Sequence, residues 1–246
     1  MRIRQIALVT REIEQVKSTL SLLLGAEQIF ADPKMVIFGC QNIIFTVGDT
    51  FLEVVSPIKD GTTAGRLLDR RGGDGGYMVI VQVNDFKTEK NRLTNTDIRI
   101  IWETESERAA AIHLHPKDVP GAIASLDWMA PPDAWYWAGE GWDKRKAKYA
   151  QSITAAEIQS DDPDGVAKLW GIAYNRPIDY SKEAPRLPLD SSEVRFVKAE
   201  DNKGPSLSAI DIEVIDKSVI LDQAERLGLP KKGNSVTACG INLNLI

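Results

Sequence analysis

Cysteine and histidine are scarce, two of each in 246 residues, and each scarcity removes a class of protein. Cys40 and Cys239 both fall in strand-like stretches, so a disulfide framework and a cysteine-rich zinc site are excluded and two buried thiols are expected. His113 and His115 stand two residues apart, so they occupy one strand rather than separate parts of a fold. Long apolar runs are missing too. A stretch such as Leu20 to Leu24 is far below the roughly 20 residues that span a bilayer, and the charged N-terminus reads as a strand rather than a leader. No membrane partner is expected, and a cytoplasmic location follows as the default. Charge of one sign is also lacking: 30 Lys and Arg against 35 Asp and Glu leave a net charge of −5. The one dense basic run, Lys144 to Lys148, has acidic neighbours and reads as a solvated face, which argues against a nucleic-acid partner. What is present, 43% apolar and 26% charged residues, suffices for one large core or two small ones.

Hydrophobic periodicity divides the chain into four similar units. The first reads as a strand, Ile3 to Val9, then a helix from Glu12 to Leu24 stopped by Gly25, because Val16, Leu20, Leu23 and Leu24 recur at helical spacing. Three strands are expected after it, Met35 to Phe38, Asn42 to Val47 and Phe51 to Val55, the last two joined through a Gly48-Asp49 turn. The second unit runs from Tyr77 to Val83, through a polar helix at Phe86 to Leu93, to strands at Ile98 to Trp102, Ala110 to His115 and Ala122 to Trp128. The third opens at Ile153 to Ile158, with Asp162 as N-cap and Pro163 at the first position of its helix, and closes at Val194 to Val197. The fourth, the most abbreviated, has a strand at Leu207 to Val214, a helix from Lys217 to Leu227 and a last hairpin, Ser235 to Ala238 with Ile241 to Ile246. The fold class expected is α+β: tandem βαβββ modules forming half-barrel sheets with helices outside. The first pair covers residues 1–129, an aromatic linker 130–150, and the second pair 151–246.

Gln5-Ile6-Ala7-Leu8-Val9 with Glu12 seven positions after Gln5, and Phe51-Leu52-Glu53-Val54-Val55-Ser56-Pro57, resemble the first and fourth strands of the vicinal-oxygen-chelate (glyoxalase/bleomycin-resistance/dioxygenase) superfamily. Gly75-Gly76-Tyr77-Met78-Val79, Leu114-His115-Pro116-Lys117 and Gly121-Ala122-Ile123-Ala124-Ser125-Leu126 are similar to the second module of methylmalonyl-CoA epimerases. The likeness covers residues 1–128; the second half is similar only in the order of its elements. It implies a divalent metal held by the first and fourth strands of both modules, positions that here are Gln5, Glu53, Met78 and Ser125. A thioether and a neutral hydroxyl are poor partners for a hard ion, so no metal ligand is assigned, no cofactor is expected and a divalent metal is disfavoured. In the second half the matching positions are Ala155 and Ala209, which coordinate nothing. An iron dioxygenase needs histidines from two modules, and both histidines lie on one strand.

Alternation groups Glu53 with Phe51 and Val55; facing inward, it is a candidate base with a raised pKa, and facing outward, a carboxylate paired with a basic neighbour. His113 and His115 are candidate general bases or replacement ligands near neutral pH, or His115 caps the turn before Pro116. Asp127 shares a face with Ser125 and is either a second acid of the cleft or a solvated strand end. The segment from Trp128 to Trp142 holds four of the six tryptophans, including Trp135 and Trp137, and is either a ligand wall or the contact between the halves. Gly72 to Gly76 leads into a strand rather than a helix and reads as a connector, not a phosphate loop.

The reading is a glyoxalase-like enzyme of isomerase or lyase type that removes a proton next to a carbonyl. Its catalytic set is Glu53, His115 and Gln5, and its substrate contacts are Met78, His113, Ser125, Asp127, Trp135 and Trp137. The rival reading is a metal-free binding protein of the bleomycin-resistance kind, and a third is a scaffold for assembly. The expected partner is a small molecule, aromatic or carbonyl-containing, with a homodimer left open.

Overall fold

A computed structural model describes residues 1–246. The first half contains β1 (Arg2–Val9), α1 (Ile13–Leu24), β2 (Cys40–Val47), β3 (Thr50–Pro57), α2 (Thr63–Arg71), β4 (Gly75–Gln82), α3 (Phe86–Leu93), β5 (Ile100–Glu105), β6 (Ala109–Leu114) and β7 (Ile123–Met129). The second contains β8 (Ala150–Ser160), α4 (Pro163–Tyr174), β9 (Arg186–Pro188), β10 (Glu193–Lys198), β11 (Ser206–Val214), α5 (Lys217–Arg226), β12 (Lys231–Lys232), β13 (Ser235–Ala238) and β14 (Ile241–Leu245). Each half is one seven-stranded mixed sheet, ordered β2-β3-β1-β4-β7-β6-β5 and β12-β13-β14-β11-β8-β10-β9. In both, the first strands of two modules pair antiparallel at the centre, β1 with β4 and β8 with β11, and the last strand of each module runs parallel to its first. The architecture is therefore α+β, tandem βαβββ modules. No helix is long and apolar enough to cross a membrane.

Several local elements differ from the sequence reading. Met35 to Phe38 is not a strand: Pro33–Phe38 forms a 3-10 helix, capped by Asp32, whose carboxylate accepts from the Lys34 N–H at 2.9 Å. Ahead of this helix, Phe30 makes an isolated bridge to Ile44. Helix α2, absent from the reading because it offers little apolar periodicity, is nucleated by Thr62, whose hydroxyl accepts from Gly65 N–H at 3.0 Å. Strand β6 ends at Leu114, so His115 falls in the following turn, and Cys239 occupies the tight turn between β13 and β14 at φ 47°. The fourth module spans the fewest residues, yet it keeps three strands after its helix where the third has two.

One face of each sheet, together with the helices, builds a core shared by the two halves: Ile6, Leu8, Val54 and Val79 from the first, Ile158, Phe196, Ile210 and Trp170 from the second. Two glycines permit the close approach. A Cβ on Gly76 would lie 2.3 Å from Leu207 Cβ, and one on Gly121, at φ +110°, 2.3 Å from Ile158 Cγ2. Leu207 N–H donates to Gly121 O at 2.9 Å, and Trp170 Nε1–H to Pro120 O at 2.8 Å. The opposite face differs between the halves. In the second sheet it carries Arg195, which pairs with Asp211 at 2.6 Å and with Glu193 at 3.3 Å. In the first it is apolar and lines a cavity.

Candidate functional site

Strand alternation decides which side chains enter this cavity, which has a volume of about 290 Å³ and lies at the lower end of small-molecule sites. In β3, Leu52 and Val54 pack into the shared core, so Glu53 and Val55 face the cavity. Gln5 arrives from β1, Asn42 from β2, Met78 and Ile80 from β4, His113 from β6 and Asp127 from β7. The 3-10 helix closes the rim with Met35, Ile37 and Phe38, and Phe38 meets Trp102 of β5 edge-on at 5.4 Å between ring centres.

Glu53 is 5% exposed and accepts two amide hydrogen bonds, from Gln5 Nε2 at 2.8 Å and Asn42 Nδ2 at 2.6 Å. Each amide is oriented by a further donor. Trp135 Nε1–H donates to Gln5 Oε1 at 2.8 Å, and the Asp32 N–H donates to Asn42 Oδ1 at 2.9 Å. Both amides therefore present N–H to Glu53. Burial raises the Glu53 pKa and the two amide donors work against that rise.

Asp127, 2% exposed, sits across the central strand pair from Glu53, since β3 and β7 flank β1 and β4. Burial pushes its pKa up to about 7, hydrogen bonds from Ser125 and Trp137 lower it, and the charge of Glu53 raises it. Trp137 Nε1–H donates to Asp127 Oδ2 at 2.7 Å. The Ser125 hydroxyl touches both Asp127 Oδ1 and the Ile112 carbonyl. A hydroxyl has one proton, so if Ser125 donates to Ile112, a protonated Asp127 is the donor to Ser125. Neither Glu53 nor Asp127 has a basic partner within ion-pair distance.

His113 lines the wall, half-buried, its ring 4.4 Å from that of Trp102. Burial drops its pKa to about 4, so it is neutral at pH 7. His115 lies outside the cavity and accepts the Lys117 N–H at Nδ1, 3.0 Å, as a turn cap. Ser125 and Trp135 are fully buried behind the lining and hydrogen-bonded to Asp127 and Gln5, whereas Met78 and Trp137 reach the cavity surface. Asn42, Tyr77, Trp102 and Phe38 also line it and were not singled out from sequence. The signal available for Asn42 was its place two residues before Ile44, a polar group on the apolar face of its strand.

The four positions that would hold a divalent metal do not fit one. Gln5 Oε1 already accepts from Trp135, both Glu53 oxygens accept amide protons, and Met78 and Ser125 supply a thioether and a neutral hydroxyl.

No protein-family model matches this chain. In sequence, it is 25% identical over 134 residues to the ethylmalonyl-CoA/methylmalonyl-CoA epimerase of Cereibacter sphaeroides, a match covering 51% of this chain and 96% of the epimerase. In structure, it is similar to a hypothetical protein from Staphylococcus aureus, with a TM-score of 0.71, 10% identity, and 100% and 98% of the two chains covered. It is also similar to a mutant of 4-hydroxymandelate synthase from Streptomyces coelicolor, with a TM-score of 0.70, 15% identity, and 93% and 75% covered.

Proposed function

Starting from a chain that has the vicinal-oxygen-chelate fold and whose first half is similar in sequence to an epimerase, we propose that it is a small-molecule acid–base enzyme of isomerase or lyase type. The observation that carries this reading is the pair Glu53 and Asp127, two buried carboxyls on either side of one apolar cavity, both with raised pKa. Glu53 as carboxylate takes the proton from the carbon next to a carbonyl, and the C–H electron pair moves onto the carbonyl oxygen. Neutral His113 donates an N–H to that oxygen, whose negative charge it stabilises. Protonated Asp127 returns a proton to the carbon from the other side, which gives an isomerase; loss of a group from the neighbouring carbon gives a lyase. Gln5 and Asn42 are positioning residues that keep Glu53 ionisable in an apolar site. No step passes through a metal, because the donors at those positions do not fit one.

A binding protein of the bleomycin-resistance kind is the second reading, favoured by the saturation of both Glu53 oxygens by amide donors. Proton exchange separates the two. In heavy water, a panel of aromatic and aliphatic thioesters and ketones is followed by NMR for loss of the proton next to the carbonyl. An enzyme exchanges at least one compound, and Glu53→Gln slows it by roughly a hundredfold or more while affinity holds. Exchange that survives this substitution would sink the assignment of Glu53, and no exchange across the panel leaves the binding protein.

A further inference from the structure

The state needed for this chemistry, Glu53 ionised and Asp127 protonated, carries one negative charge into an apolar cavity. A buried charge without a counter-charge is strongly disfavoured. No cationic side chain lies inside the cavity to meet it. Lys34 stands exposed at the mouth, and His113 is neutral. Arg4, fully buried in the same half, is paired with Asp49 at 3.2 Å and enclosed by Phe51, Trp135 and Trp142 at 5.5–5.6 Å, outside the cavity lining. Asp32 adds a third carboxyl near the rim. The remaining walls include Trp102, Trp137 and Tyr77, whose ring faces attract cations. Outside the mouth, Val36 and Ile37 are 59% and 67% exposed and form an apolar shelf with Phe38.

We propose that the cavity takes a monocation: an amine or a protonated nitrogen heterocycle as head, with an apolar or aromatic tail that leaves across Ile37 and Phe38. One positive charge balances a carboxyl pair that holds a single proton, so ligand entry itself ionises Glu53. A neutral analogue leaves that charge unmatched, and a free carboxylate meets like charge. The inference rests on the carboxyl pair of the proposed function, but its test reads binding, where that of the function reads exchange.

The probes are 2-phenylethylamine, 2-phenylethanol and phenylacetate, which share a body and carry +1, 0 and −1. Calorimetry and tryptophan fluorescence at neutral pH measure their affinities, and calorimetry in buffers of different ionisation heat counts protons. The amine should bind tighter than the alcohol by about tenfold or more, with proton release, and phenylacetate weakest. In the double variant Glu53→Gln, Asp127→Asn, with folding checked by thermal melting, the amine preference should vanish while alcohol binding stays. Equal affinities, a preference for phenylacetate, a preference that survives the double variant, or binding by none of the three overturns the inference. Amine discrimination without proton exchange, either on the neutral panel or on phenyl ketones that bear an amine, removes the enzyme reading and leaves the ligand class standing.

Discussion

The indole N–H of Trp135 donates to the side-chain oxygen of Gln5 at 2.8 Å, and that bond decides which end of the amide meets Glu53. Trp135→Phe keeps a ring stacked on Phe51 but frees the amide to turn its oxygen towards the carboxyl. Loss of a donor to the ionised form raises the Glu53 pKa further. The protonated-carboxyl infrared band assigned to Glu53 should then persist to higher pH in Trp135→Phe, and in Gln5→Leu, than in the wild type. An unshifted band would show that the tryptophan is only a packing residue.

Asp127 and His113 tie stability to pH with opposite signs. Asp127 has its folded pKa raised to about 7 from an unfolded value of about 3.9. The folded state therefore holds the extra proton, and stability is lost as pH rises through that window. His113 is lowered to about 4 from about 6.5, so the unfolded state holds the extra proton and stability is lost as pH falls. Melting curves should show Asp127→Asn gaining on the wild type from about pH 4 to 7, and His113→Phe gaining from about pH 6.5 down to 4. Parallel curves for either variant would contradict its environment.

The two glycines at the contact between halves set a third expectation. Gly76→Ala and Gly121→Ala each drive a Cβ to 2.3 Å from a neighbour, and overpacking of this kind costs about 1–3 kcal/mol. Chemical denaturation should register a loss of that order for both, with Gly121→Ala the larger because of its φ of +110°. Unchanged midpoints would mean that the halves separate easily.

Magnesium, manganese, nickel and zinc should leave the melting temperature within about 1 °C of the metal-free value, since an ion that binds the folded state raises it. Stoichiometric stabilisation by any of these, lost in Glu53→Gln, would restore a metal-dependent site.

Elements whose signals are local were legible in the sequence. Asp162 with Pro163 located the start of α4 to the residue, and strand alternation put Glu53 on the face with Val55. Met35 to Phe38 misled because a short apolar run has no period of its own; Asp32 and Pro33 turn it into a 3-10 helix whose side chains serve the cavity rim. The orientation of the amides was out of reach. Gln5 depends on Trp135, 130 positions away, and Asp127 on Trp137 across a turn that has no regular period. Such contacts come from where the chain after β7 folds back, which periodicity does not encode.

The ion cluster of the second sheet bears on stoichiometry. Arg195, locked between Asp211 and Glu193, covers on that sheet the face that forms the cavity on the first. Four modules then leave a single seat for the proposed ligand: a titration should reach its end point at one equivalent per polypeptide, however symmetric the repeat that built it.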